Sequence, residues 1–241
     1  MGEGAEPAAV ARQESSWRDY AEDATGFGGV EWRTARDLLI RPRAVLDAYL
    51  AGGPTGFGQY ARPTRFYLAL CGVLMFFLFL AGGNQRLYEG IPVELIDFFA
   101  GIAGKSRSAF VTDSSDWLGF EAVPVLAAFY ALALAPFIRW WGGHRWRIAF
   151  RATLAMMCAW TVPVIPLGPL PYAEWFRAIN AVLVNLLLVV AFVRMGRGLW
   201  WSSPAGAAGK SLVLLAAINI VGTFGMIVVV ALAALGVRLA S

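Results

Sequence analysis

Histidine, cysteine, lysine and charge of either sign are scarce in this chain of 241 residues. There is one histidine, His144, and there are two cysteines, Cys71 and Cys158. A zinc site needs three or four His, Cys or carboxylate ligands, and a disulfide framework needs paired cysteines; neither set is on offer. Both cysteines lie in apolar runs and read as small buried side chains. Membrane hydrolases need a nucleophile with its base, or a metal-ligand motif such as HExxH, and neither is found. Charged residues make up 15% of the chain, against about 25% in soluble domains, too few to hydrate the surface of a water-soluble fold. No charge falls in the middle of a long apolar run, where ion-coupled transporters place one. These absences argue against an enzyme and against cofactor or metal binding.

What is abundant is uncharged sequence in blocks. Twenty residues separate Arg65 from Arg86, seventeen Glu121 from Arg139, twenty-two Arg151 from Glu174, and sixteen Arg177 from Arg194; Ser211–Val237 adds twenty-seven. A membrane-crossing helix needs about 20 apolar residues, so the expected fold is an all-α integral membrane protein with five transmembrane helices. The first forty residues hold no apolar core of the signal-peptide kind, which leaves insertion to the first span. Basic residues alternate between many and few across successive loops: eight before the first span, three after it, then four, one, three and one. By the positive-inside rule the N-terminus is cytoplasmic and the C-terminus exterior. Arginine outnumbers lysine eighteen to two, as in a GC-rich genome, and a bacterial inner membrane is the expected location.

The stretch IRWWGGHRWRIAFR (residues 138–151) is then the tight cytoplasmic turn between the second and third spans. Tryptophan rings settle at headgroup depth and arginines attract anionic lipid, so Arg139, Trp140, Trp141, Arg145, Trp146, Arg147 and Arg151 are candidate contacts for lipid or for another membrane subunit or copy. Nucleic-acid binding would need its basic residues on a soluble module, and His144 reads as a polar turn residue.

Upstream, residues 1–33 read as a disordered cytoplasmic segment and 34–64 as amphipathic helices. Thr34 with Asp37 marks one helix start, and Pro42 opens a second over 42–51. The stripe Val45, Leu46, Tyr49 and Leu50, flanked by Arg41 and Arg43, suits a helix lying on the membrane surface or packing on the bundle's cytoplasmic loops. Residues 65–241 form the bundle, with an exterior loop over 84–121. Within that loop, 91–104 is apolar but too short to cross, with Leu95, Ile96, Phe98, Phe99 and Ile102 on one face. Its acids Glu89, Glu94, Asp97, Asp113, Asp116 and Glu121 read as solvated rather than cation-binding. SPAGAAGKS (203–211) mimics a phosphate loop but carries Pro204 where the pattern needs glycine.

Two features stand out inside the spans. Pro163, Pro166 and Pro169, with Pro171, are expected to break the third span and leave its outer half non-helical and enclosed. Asn185 lies nine residues before Arg194 and Asn219 nine after Lys210, so at 1.5 Å per residue both amides sit about 13 Å from the same face. They are expected to pair between neighbouring helices, the alternative being that each bonds a carbonyl of its own helix.

Arg41, Pro42, Val45, Tyr49, Gly52, Tyr60 and Pro63 follow the pattern R-P-x-x-V-x-x-Y-x-x-G, then Y-x-x-P. This lead-in resembles a family of uncharacterised bacterial multi-span membrane proteins, departing from it in the segment GPTGF and in lacking an N-terminal Cys-x-x-Cys ribbon. The layout is also similar to the Yip family. The resemblances imply a role in membrane organisation or trafficking and no catalytic residue set. The expected function is a non-enzymatic accessory or scaffold subunit of a membrane complex; the alternatives are a transporter or channel built around the broken third span, and a lipid-modifying enzyme.

Overall fold

The computed structural model describes residues 28–52, 59–80, 88, 91–167 and 174–240. Among these residues there is no strand. The helices are α1 (Gly29–Ile40), α2 (Pro42–Ala51), α3 (Pro63–Leu80), α4 (Val93–Ala103), α5 (Arg107–Gly142), α6 (Trp146–Val164), α7 (Glu174–Gly196) and α8 (Pro204–Ala240), with a 3₁₀ turn at Ile165–Leu167 after α6. Four helical stretches are long and apolar enough to cross a membrane: Ala122–Gly142, Trp146–Leu167, Ile179–Gly196 and Pro204–Ala240. The expected first span is α3, whose apolar stretch within the described residues, Pro63–Phe77, is shorter than those four.

The middle of the molecule is α6. Every residue from Ala152 to Ala159 is buried, as expected of a helix apolar on all sides, and α1, α2, α3, α5 and α7 all pack around it. Beside it run the two longest helices, α5 with 36 residues and α8 with 37, each about 55 Å long at 1.5 Å per residue. They are antiparallel, with Trp117, Leu126 and Tyr130 of α5 facing Gly236, Gly225 and Gly222 of α8. A methyl at Gly236 would lie 2.8 Å from the Trp117 ring, and one at Gly225 2.8 Å from Leu126. Without side chains there, the Trp117 and Leu126 side chains of α5 lie against the α8 backbone and gain dispersion contacts, the main attraction between helices in lipid.

A hydrocarbon core is about 30 Å thick, so α5 and α8 are long enough to extend well past one. Within the exterior loop expected over 84–121, residues 107–121 are helical, as the first part of α5. That segment is polar in sequence and is held helical by packing. Phe110 and Leu118 join Val229, Val230, Ala233 and Val237 of α8 in an outer cluster completed by α4. The face of α4 also differs from the expected one. Ile96, Phe99, Ala100 and Ala103 are buried, whereas Phe98 (61% exposed) and Ile102 point away. The helix is apolar around most of its circumference, so composition did not select the face. Gly104, with φ 69°, ends α4, and Arg107 closes the corner with two hydrogen bonds to the Asp97 carboxylate, at 2.6 and 2.5 Å.

Two further expectations shift. Residues 29–33, expected in the disordered segment, are helical: α1 starts five residues before Thr34, because the Gly28 N–H donates to Glu31 Oε2 at 3.0 Å. The break in α6 comes late. The helix runs through Pro163 to Val164 and gives way at the 3₁₀ turn holding Pro166, which is exposed; Pro169 and Pro171 lie outside the described residues. Pro163 has no N–H for the Ala159 carbonyl four residues back, yet α6 continues one residue past it.

Filling either close-approach position should loosen the α5–α8 pair. Gly225→Leu and Gly236→Leu are each expected to destabilise the protein by about 1–3 kcal/mol through overpacking, read as a lower midpoint in detergent-titrated unfolding; unchanged midpoints would refute close packing there.

Candidate functional site at the arginine-rich end

The end of the bundle where α5 meets α6 and α7 meets α8 also receives α1, α2 and the start of α3. Each arriving helix brings unpaired carbonyls at its C-terminus, and arginines answer them across helices. Arg194 of α7 donates to the Leu39 and Ile40 carbonyls closing α1, at 2.6 and 2.7 Å. Arg43 of α2 donates to the Met195 and Arg197 carbonyls closing α7, at 3.2 and 2.6 Å. Arg151 of α6 donates to the Gly52 carbonyl closing α2, at 2.6 Å. A cation at a helix C-terminus also opposes the negative end of the helix dipole.

A buried polar knot completes the lock. Thr34 Oγ1 donates to the Val30 carbonyl (2.7 Å) and accepts the Ala61 N–H (2.9 Å). The Ala61 carbonyl in turn accepts the Tyr49 hydroxyl at 2.7 Å. Asp37 is buried and accepts from Arg41 at 2.8 Å, Arg36 at 3.0 Å and the Tyr60 hydroxyl at 3.0 Å. Arg41 holds the Asp37 carboxyl below its ordinary value, with help from Arg36 and Tyr60 and against the opposing pull of burial.

Several residues expected to meet lipid or a partner are therefore used inside the fold. Leu46 and Tyr49 are 0% exposed and belong to the main core, with Leu50 packed against it. The stripe of α2 faces α6 and α7, because the bundle covers more of its apolar area than a flat surface would. Arg41, Arg43 and Arg151 are committed to Asp37 and to carbonyls. The turn residues are placed differently. Trp140 is 78% exposed and Trp146 more than half exposed, and the Arg139 guanidinium lies 4.7 Å above the Trp146 ring. Arg145 and Arg147 are exposed. Trp141 turns inward against Phe137 and Phe192, with Lys210 Nζ 5.3 Å from its ring.

Between the end of α2 and the start of α6 lies an open cleft of about 720 Å³ that includes Gly52, Arg145, Trp146, Arg147 and Arg151 and, among the described residues, no carboxylate. A second of about 410 Å³ is lined by Arg41, Arg43, Arg194 and Arg197 among others. Guanidinium groups beside a helix N-terminus suit a phosphate or carboxylate. Neither cleft contains a nucleophile with a base, and no cluster of three metal-ligating side chains occurs among the described residues.

The turn between α7 and α8 reads from sequence only as a basic turn over 194–210 open to lipid or a partner; that reading misses its aromatic packing. Trp200 is almost fully buried and stacks on Phe192 with centroids 5.5 Å apart and 10° between planes, while Gly198 takes φ 77°. The doubled tryptophan beside Gly196 and Gly198 was the available signal. Deeper in the bundle, the Asn219 amide donates to Asn185 Oδ1 at 3.2 Å. Each amide also donates to its own helix, Asn185 to Ala181 and Asn219 to Leu215, both at 2.8 Å, so the two bonding modes weighed from sequence coexist.

No family model, curated protein or solved structure matches the chain.

The Asp37 knot carries a pH signature. A carboxyl held below its ordinary value of about 3.9 stabilises the fold above that pH, and the contribution disappears as pH falls through the lower folded value. Asp37→Asn should unfold at lower temperature than wild type at pH 7, with the two melting curves converging as pH drops from about 4 toward 2. A gap of constant size would mean the ionised carboxylate contributes nothing.

Proposed function

We propose that this protein is a non-enzymatic accessory or scaffold subunit of a bacterial inner membrane, crossing it five times with the arginine-rich end in the cytoplasm and the α4 lobe outside. In this reading α3 is the first span, and α1–α2 form a rigid cytoplasmic lid on the bundle. The lid offers its clefts to anionic phospholipid headgroups and its outer faces to a neighbouring subunit.

The observation that carries the reading is the α2–α6 cleft, where Arg145, Arg147 and Arg151 line one opening with no carboxylate among the described residues, beside the exposed rings of Trp140 and Trp146. Arginines held next to interfacial tryptophans at one end of apolar helices match the chemistry of a headgroup layer. The arginine asymmetry of the loops and the resemblance carried by the R-P-x-x-V-x-x-Y-x-x-G lead-in point the same way.

Two measurements test this. In nanodiscs, Arg145→Gln with Arg147→Gln should weaken retention of phosphatidylglycerol about thirtyfold, at about 1 kcal/mol per arginine, and leave phosphatidylcholine unchanged; equal retention of phosphatidylglycerol by wild type and variant would refute the headgroup site. For orientation, a thiol introduced as Ser108→Cys should react with an impermeant reagent from outside intact cells and one introduced as Ser203→Cys should not. The native cysteines are buried and add little background. The reverse labelling would invert the topology.

A further inference from the structure

Halfway along α7 and α8, far from the arginine clefts, a cavity of about 460 Å³ opens on the side of the bundle. That volume lies in the range of small-molecule sites, about 300–1,000 Å³. Its back wall is the Tyr130–Trp160 pair, packed edge to face with centroids 5.9 Å apart, and its outer end is roofed by Pro92 and Leu95. Asn185, Asn219 and Thr223 supply polar groups, and among the described residues no charged side chain lines it.

The hydrogen-bond inventory of these groups is specific. Asn219 spends both amide hydrogens, one on Leu215 and one on Asn185 Oδ1, which directs its own Oδ1 the other way with no donor among the described residues. Thr223 donates to the Asn219 carbonyl at 3.0 Å and keeps its acceptor capacity. Asn185 spends one amide hydrogen on Ala181 and retains the second. The Tyr130 hydroxyl has no hydrogen bond among the described residues; it lies so close to α8 that a methyl at Gly222 would sit 2.7 Å from it. Trp160 is not available, because its ring N–H donates to the Val184 carbonyl at 2.8 Å. The cavity therefore presents open acceptors, Asn219 Oδ1 and Thr223 Oγ1, facing open donors, the Tyr130 hydroxyl and one Asn185 N–H.

We propose that this cavity binds a neutral lipid through a free hydroxyl group, with Asn219 Oδ1 accepting the hydroxyl proton, Tyr130 donating to its oxygen, and the apolar tail leaving sideways into the bilayer. A hydroxyl both donates and accepts, so one small head answers both halves of the site. A head with carbonyl oxygens alone would leave Asn219 and Thr223 without a donor, and a charged head would find no counter-ion among the described residues. The tail has a path: the cavity follows α8 from Ile218 to Ile227, about 14 Å at 1.5 Å per residue, and Asn219 and Thr223 stand exposed at its mouth. Open acceptors beside hydrocarbon are costly, and a resident hydroxyl removes that cost. The site rests on α7 and α8 lying in the bilayer, but not on their direction or on the headgroup cleft.

The test uses the full-length protein in mild detergent and three probes with one chain: oleyl alcohol, oleyl methyl ether and oleate, titrated by native mass spectrometry. Oleyl alcohol should form one saturable adduct, with the ether and oleate about three- to thirtyfold weaker, the range expected for one hydrogen bond in an apolar site. Asn219→Leu should lower alcohol affinity toward that of the ether while leaving the ether unchanged, whereas Tyr130→Phe, which removes a donor that either oxygen can accept, should weaken both in parallel and keep their ratio; general damage to the fold would not produce the first pattern. Thr223→Val, close in shape, serves as a milder variant should either of those misfold. Equal binding of alcohol and ether, or an Asn219→Leu variant that keeps the preference, would overturn the proposal. So would efficient disulfide crosslinking between copies through Asn219→Cys, which would assign the face to a second chain.

Discussion

A helix that ends inside a protein leaves its last carbonyls without partners, and at the basic end of this molecule three helices end close together. The exchange of arginines meets that demand. Arg194 caps α1, Arg43 caps α7 and Arg151 caps α2, so each helix helps to finish another. The lid cannot lift without exposing carbonyls on both sides of the joint. With the lid in place, Leu46, Tyr49 and Leu38 can join the core built around α6, and Asp37 and Glu31 can be buried with partners. Lysine would serve less well in this role, since a planar guanidinium reaches two carbonyls at once, as Arg194 and Arg43 both do.

The capping divides the arginines into two populations. Those bound to carbonyls or to Asp37 hold the structure, while Arg145 and Arg147, on the rim beside exposed tryptophan, remain open to outside partners. The proposed accessory role draws chiefly on the second population, with the carbonyl-bound Arg151 lining the same cleft. The Asn185–Asn219 pair is separate from both. It joins α7 to α8 at a depth where Trp160 and Tyr130 line up behind it, and it leaves acceptors facing a cavity. The close passage of α5 along α8 makes that geometry possible, because Gly222 lets the Tyr130 hydroxyl come up to the α8 backbone.

Much of this was legible in one dimension. Apolar length marks helices that can cross a membrane, since hydrocarbon demands internally bonded backbone over a known thickness. Depth can be counted along a helix from its basic flank, which is why two asparagines 34 residues apart could be matched before any geometry was known. Helix starts were read less well. Thr34 looked like a cap from its spacing to Asp37, but both residues are spent on other segments, Thr34 on Ala61 and Asp37 on Tyr60, and Glu31 closes the first turn.

Composition and order along the chain thus determined the all-helical class, the apolar stretches, the asymmetry of charge and the shared depth of the two amides. Each depends on what a residue is and how far it lies from its neighbours in sequence. Tertiary structure alone decided which surface covers the stripe of α2, that residues 107–121 are helical, which face of α4 is buried, and which arginines are free. An apolar stripe is equally satisfied by lipid or by protein, and a guanidinium by a phosphate or by a carbonyl. The choice falls to whichever partner the packing of distant helices brings within reach.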